Sequence, residues 1–172
     1  IINISDEINT GKRLGYSGKR ITDIVNIGIG GSHLGPEMVT EALSYYSKGI
    51  KPHFISNIDP DFTSKLIEKI NPETTIFIIV SKTFTTIETL ENANKIRAWF
   101  IDNASKDSIK DHFIFISNNT EAPKKFGVSS ENILSIPEWV GGRFSLWGSV
   151  GLVISIVIGS KNFKDFLRGA NE

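Results

Sequence analysis

The 172-residue sequence predicts an α/β domain, a parallel sheet covered on both faces by helices. Three observations predict it. Short runs apolar on both faces, as strands inside a parallel sheet must be, recur at residues 23–29 (DIVNIGI), 75–81 (TIFIIVS) and 112–117 (HFIFIS). Stretches with helical spacing of apolar residues separate them. Turns rich in glycine or hydroxyls then follow the strands directly, where open parallel sheets place their ligands.

The elements follow in order. Residues 1–20 read as a lead-in arm to one domain spanning 1–172, a length that suits a single domain. After the first strand and a glycine-rich turn, residues 36–46 predict a helix, with Pro36 well placed in its first turn. Residues 51–57 (KPHFISN) are a second strand, and Asp59 is a good N-cap for a helix over 60–70. The third strand leads to a helix over 86–100, with Ile87, Leu90, Ala93, Ile96, Ala98 and Trp99 roughly on one side. The fourth strand precedes a short fifth at 132–136 (NILSI), and 146–158 reads as a final apolar helix.

Composition narrows the function. Nineteen basic and nineteen acidic residues cancel, which argues against a general nucleic-acid or membrane-surface binder. The absence of cysteine excludes disulfides, thiolate metal sites and a cysteine nucleophile. His33, His53 and His112 lie far apart without metal-ligand spacing, so no metal is expected. The longest apolar run, 150–158, is about half of the ~18 residues a membrane span needs. The opening IINISDEINTGKR lacks a signal-peptide layout, so a cytoplasmic location is expected. The first residue is Ile1 rather than Met, as expected of a piece of a longer chain.

Three turns carry candidate chemistry. In GIGGSHLGP (28–36), Gly28, Gly30 and Gly31 let the backbone bend and approach a ligand, and Ser32 adds a hydroxyl where a helix starts. The same glycines also suit a plain tight strand-to-helix turn. A dinucleotide fingerprint is out of register, because the third glycine position holds His33. In SKTFTTIETL (81–90), Ser81, Thr83, Thr85 and Thr86 surround Lys82. One threonine is expected to cap the helix, but four hydroxyls and an ammonium exceed capping and read as a cradle for a phosphate monoester. No neighbouring aspartates offer a magnesium site, so binding fits better than nucleotide hydrolysis. In EWVGGRFSLWGSVGL (138–152), Arg143 sits on a double-glycine turn. It either points at the carboxyl edge of the sheet or stacks on Trp139 or Trp147 at the surface.

In order and spacing, VNIGIGGSHLGP, SKTFTTIETL and VGGRFSLWGSVGL closely resemble the motifs of the glucose-6-phosphate isomerase (phosphoglucose isomerase) family, from about Gly15 to about Gly159. One departure is His33, where many members have aspartate. The resemblance implies a flavodoxin-like sugar-isomerase (SIS) domain with a five-stranded parallel sheet. It also implies interconversion of glucose 6-phosphate and fructose 6-phosphate through a cis-enediolate, in glycolysis and gluconeogenesis, by a homodimer without cofactor. By motif match, Ser81, Lys82, Thr83 and Thr86 would hold the phosphate, and Gly31 and Ser32 would contact the sugar or the phosphate. Arg143 would stabilise the enediolate, and Glu88 would orient the ring-opening histidine. In the family the glutamate base, that histidine and a carboxyl-terminal lysine all come from later segments, so this chain is expected to be inactive alone. The competing expectation is a non-catalytic sugar-phosphate-binding regulatory module, for which the arginine turn has no use.

Overall fold

Strands β1 (Asp23–Ile27), β2 (Lys51–Ile55), β3 (Thr75–Val80), β4 (Phe113–Ile116) and β5 (Ile133–Leu134) form one sheet in the computed structural model, which describes residues 1–172. Its order is β2–β1–β3–β4–β5 and every pairing is parallel, with Asp23 level with both Lys51 and Thr75 and Phe77 level with Phe113. This is the five-stranded, flavodoxin-like order expected. Each strand ends one or two residues sooner than the apolar runs suggested, because the carboxyl-end residues turn away into the loops described below.

The helices are α1 (Ile2–Thr10), α2 (Leu34–Ala42), α3 (Pro60–Ile67), α4 (Ile87–Asn103), α5 (Ile109–His112), α6 (Glu121–Phe126), α7 (Leu152–Ile158) and α8 (Ser160–Asn171). Alternate residues of the strands feed two cores. Ile24, Ile76, Ile78, Val80, Ile114 and Ile116 pack with Ile8 of α1, Val39 of α2, every residue of α7 except Ser155, and Phe163 of α8. Val25, Ile27, Phe77, Ile79, Phe113 and Phe115 face the other way, onto Leu66 of α3 and Ala93, Ile96 and Phe100 of α4. Phe77 stacks on Phe113 at 4.8 Å, and Phe100 meets both edge-on. No helix is long and apolar enough to cross a membrane.

Three sequence expectations need correction. The inward row of α4 is Thr89, Asn92, Ala93, Ile96 and Phe100, while Ile87 and Ala98 are exposed. Asn92 earns its buried place by donating to Asn57 O (2.9 Å) and accepting from Thr63 Oγ1 (3.3 Å). The apolar stretch 146–158 is not one helix. Two 3₁₀ turns, Gly142–Trp147 and Ser149–Gly151, precede α7. Gly151 lies so close to the preceding turn that a Cβ there would sit 2.3 Å from Leu146 O. The lead-in, thirdly, contains a helix. Ser5 Oγ of α1 donates to Ser155 O at 2.7 Å, and Arg13 and Tyr16 bind the amino edge of the sheet through Asn132, Asp111 and His112.

Candidate functional site

In the order β2–β1–β3–β4–β5 the crossovers leaving β1 and β3 go to opposite faces. Val39 of α2 belongs to one core, and Ala93 and Ile96 of α4 to the other. A crevice therefore opens beyond the carboxyl ends of these adjacent strands, the switch point where open α/β sheets bind ligands.

Beyond β1 the chain makes a 3₁₀ turn, Gly30–Ser32, before α2. Gly30 has φ +58°, the left-handed region that glycine adopts freely. The turn folds back on the strand, where Asn26 Nδ2 donates to Ser32 O at 2.9 Å. Beyond β3, Ser81 is buried and its hydroxyl lies 3.5 Å from Thr86 Oγ1, while Thr83 and Thr85 share a 2.6 Å hydrogen bond. Thr86 occupies the N-cap of α4 without a capping bond from its side chain, so the expected threonine cap is not made. Phe84 adopts φ +58°, alone among non-glycine residues, and its ring packs 5.4 Å from that of Phe115. A bulky residue held there carries backbone strain, and the aromatic anchor keeps the flanking hydroxyls at the mouth of the crevice.

The third turn starts at the far edge, after β5, and crosses back over the strand ends. Ile136 N–H donates to Asn118 Oδ1 (2.8 Å) beyond β4. Lys82 Nζ, beyond β3, donates to Glu138 O (2.6 Å) and Val140 O (3.0 Å). Gly142 then meets Gly31 beyond β1, so closely that a Cβ on Gly31 would lie 2.2 Å from Gly142 O. The buried Ser145 hydroxyl lies 2.7 Å from Gly142 O and 3.4 Å from Gly31 O. Arg143 follows at once, exposed, with its guanidinium 5.0 Å over the ring of Phe144 rather than on Trp139 or Trp147. Trp147 faces Phe166 instead, at 4.6 Å.

Gly31, Ser32, Ser81, Lys82, Thr83, Thr86 and Arg143 are thus gathered on one edge, with Glu88 in the first turn of α4 behind them. Asn26, Asn118 and Ser145 escaped the sequence reading. A lone asparagine inside an isoleucine-valine run was the available signal for Asn26. The groups whose ionisation the fold shifts lie elsewhere, most of them at the amino edge. Burial pushes the His112 imidazole and the Arg13 guanidinium down. Burial opposes ionisation of Asp23 as well, yet hydrogen bonds from His53 and Thr22 outweigh it and hold that carboxyl below its usual range.

These features define a flavodoxin-like α/β domain in which the three candidate turns converge at the carboxyl edge of the sheet. The chain belongs to the phosphoglucose isomerase family, which matches residues 1–172. It is 52 % identical over 172 residues to the glucose-6-phosphate isomerase of Christiangramia forsetii, covering 100 % of this chain and 32 % of that protein. Against the glucose-6-phosphate isomerase of Buchnera aphidicola it is 51 % identical over 170 residues, covering 98 % of this chain and 31 % of that protein. A crystal structure of a glucose-6-phosphate isomerase from Chlamydia trachomatis is similar with a TM-score of 0.81 at 27 % identity, over 98 % of this chain and 31 % of that one. The chain spans about a third of the length of these relatives.

Proposed function

We propose that this chain forms the substrate-holding edge of a glucose-6-phosphate isomerase. The phosphate of the sugar lies at the 81–86 loop, where the hydroxyls of Ser81, Thr83 and Thr86 and the exposed N–H groups at the start of α4 share its charge. Lys82 adds a cation that has one N–H left after its two bonds to backbone carbonyls. Gly31 and Ser32 bring backbone and hydroxyl against the sugar. Arg143 faces the C1–C2 end.

The reaction moves a proton between neighbouring carbons. A base takes the C2 proton of the open-chain aldose, the released pair forms the C1–C2 double bond, and the carbonyl oxygen becomes an oxyanion. Arg143 stabilises that charge, the proton of the C2 hydroxyl passes to the C1 oxygen, and the proton returned to C1 as the C2 carbonyl forms gives the ketose. C1 is reduced as C2 is oxidised, so the electrons balance within the sugar. Glu88 orients the histidine that opens the ring. The base, that histidine and a closing lysine come from the further length that the relatives possess and from the second subunit of a homodimer, so residues 1–172 alone do not turn over substrate.

The observation that supports this reading is the path of residues 136–142, tied in turn to Asn118, Lys82 and Gly31, which brings the turn bearing Arg143 back over the strand ends beside the hydroxyl loop. A coupled assay with fructose 6-phosphate tests it. The isolated chain gives no turnover, and Arg143→Ala in the full-length enzyme lowers kcat by about 10²–10³, the usual cost of one oxyanion donor. Full activity of that variant would refute the reading.

A further inference from the structure

Asn26 is the fourth of the five residues of β1, an inner strand, and is 0 % exposed among isoleucines and valines. A carboxamide there is costly unless its atoms are paired, and its Oδ1 is buried without a partner. An aliphatic side chain would suit the core better. What Asn26 supplies is one donor, Nδ2, 2.9 Å from Ser32 O. That carbonyl has a specific need. Ser32 ends the 3₁₀ turn and precedes His33, the N-cap of α2, so its carbonyl lies outside the hydrogen-bond ladder of that helix.

The bond has consequences beyond Ser32. It fixes the glycine turn against the strand, where Gly28 already lies so near that a Cβ would sit 2.8 Å from Ser32 Cβ. The neighbouring Gly31 abuts Gly142, and the Ser145 hydroxyl spans the two turns. A shift of the Ser32 carbonyl is therefore transmitted through Gly31 to the backbone that carries Arg143, through packing that has no room to absorb it.

We infer that Asn26 is a positioning residue, whose amide sets the height of the glycine turn and, through the Gly31–Gly142 contact, the place of the Arg143 guanidinium over the sugar carbons. This rests on the isomerase reading above. The test uses the full-length enzyme with Asn26→Leu, which removes donor and orphaned acceptor together while keeping apolar bulk, and Asn26→Ala, which removes both without adding bulk. Both variants should lose about tenfold or more in kcat while KM for fructose 6-phosphate changes less than about threefold. Asn26→Leu should melt no lower than wild type. In an Asn26→Leu/Arg143→Ala double variant, kcat should be no lower than in Arg143→Ala alone, as expected of residues acting through one group. Wild-type kcat in a folded variant would overturn the inference, and so would a loss matched by lost folded protein, failure of both variants to fold, or strictly multiplicative effects in the double variant. If Arg143→Ala itself retains full activity, the isomerase reading fails instead, so the two failures are told apart.

Discussion

The ammonium of Lys82 donates to two backbone carbonyls of the returning segment, so it ties the third turn to the hydroxyl loop, and in the proposed function it also offers charge to the sugar phosphate. Its substitution should show both effects. Lys82→Ala is expected to weaken binding of fructose 6-phosphate to this chain by about tenfold, the lower end for a hydrogen bond to a charged group at a half-exposed position. Far-UV circular dichroism should stay unchanged, because the side chain adds nothing to either core. Unaltered affinity by calorimetry would contradict the assignment. Lys82 and its hydroxyl neighbours were legible in the sequence because residue type alone announced them. The carbonyl partners 56 and 58 residues away were not, since no local pattern encodes a contact between two loops. Asn26 was hidden for a related reason. Its importance depends on the bend that returns Ser32 to the strand.

At the scale of elements, the strands were readable because β1, β3 and β4 are buried on both faces and so are apolar at nearly every position. Asp59 capped α3 as expected, its side chain accepting from Asp61 N–H. The ends of the chain were harder. Helix α1 has no side-chain cap and α8 follows Gly159 without one, so neither announced its start. The run 146–158 misled because hydropathy cannot show that Gly151 must pass a carbonyl at 2.3 Å. The turns themselves make a sharp prediction. Gly31→Ala drives a Cβ into Gly142 O and should displace the arginine turn, lowering activity of the full-length enzyme by about a hundredfold, the cost a 1 Å misplacement can carry. Gly141→Ala is the matched control. Its φ of −164° is extended backbone that any residue adopts, and its Cβ would meet nothing within 4 Å. Steady-state kinetics of the pair should separate them, and equal activities would remove the role given to the glycine contact.

For the molecule as a whole, the lead-in is fastened to the sheet through His112. Its Nε2 accepts from Tyr16 N–H (2.8 Å), and its Nδ1 is 2.7 Å from Thr75 O, which fixes a neutral ring with its proton on Nδ1. Burial holds this imidazole below its ordinary 6.5, against weaker contributions from Thr75 O and Asp111 that favour the charged form. Below about that pH the unfolded chain therefore binds a proton that the folded chain excludes. The stability is fully present above pH 6.5 and declines as pH falls below it. Melting should accordingly occur at lower temperature at pH 5.5 than at pH 7.5, by roughly 2–4 °C for each kcal/mol lost. His112→Gln should melt lower throughout but show a flatter pH profile. An equally steep profile in that variant would place the titrating group elsewhere.

Whether the three turns serve one ligand is decided most directly by a crystal structure of the chain with fructose 6-phosphate bound. The phosphate should sit within hydrogen-bond reach of the Ser81, Thr83 and Thr86 hydroxyls, with the C1–C2 end of the sugar beneath the Arg143 guanidinium. A sugar phosphate seated instead in the groove of about 320 Å³ between α2 and α3, against His53 and Lys65, would contradict the account.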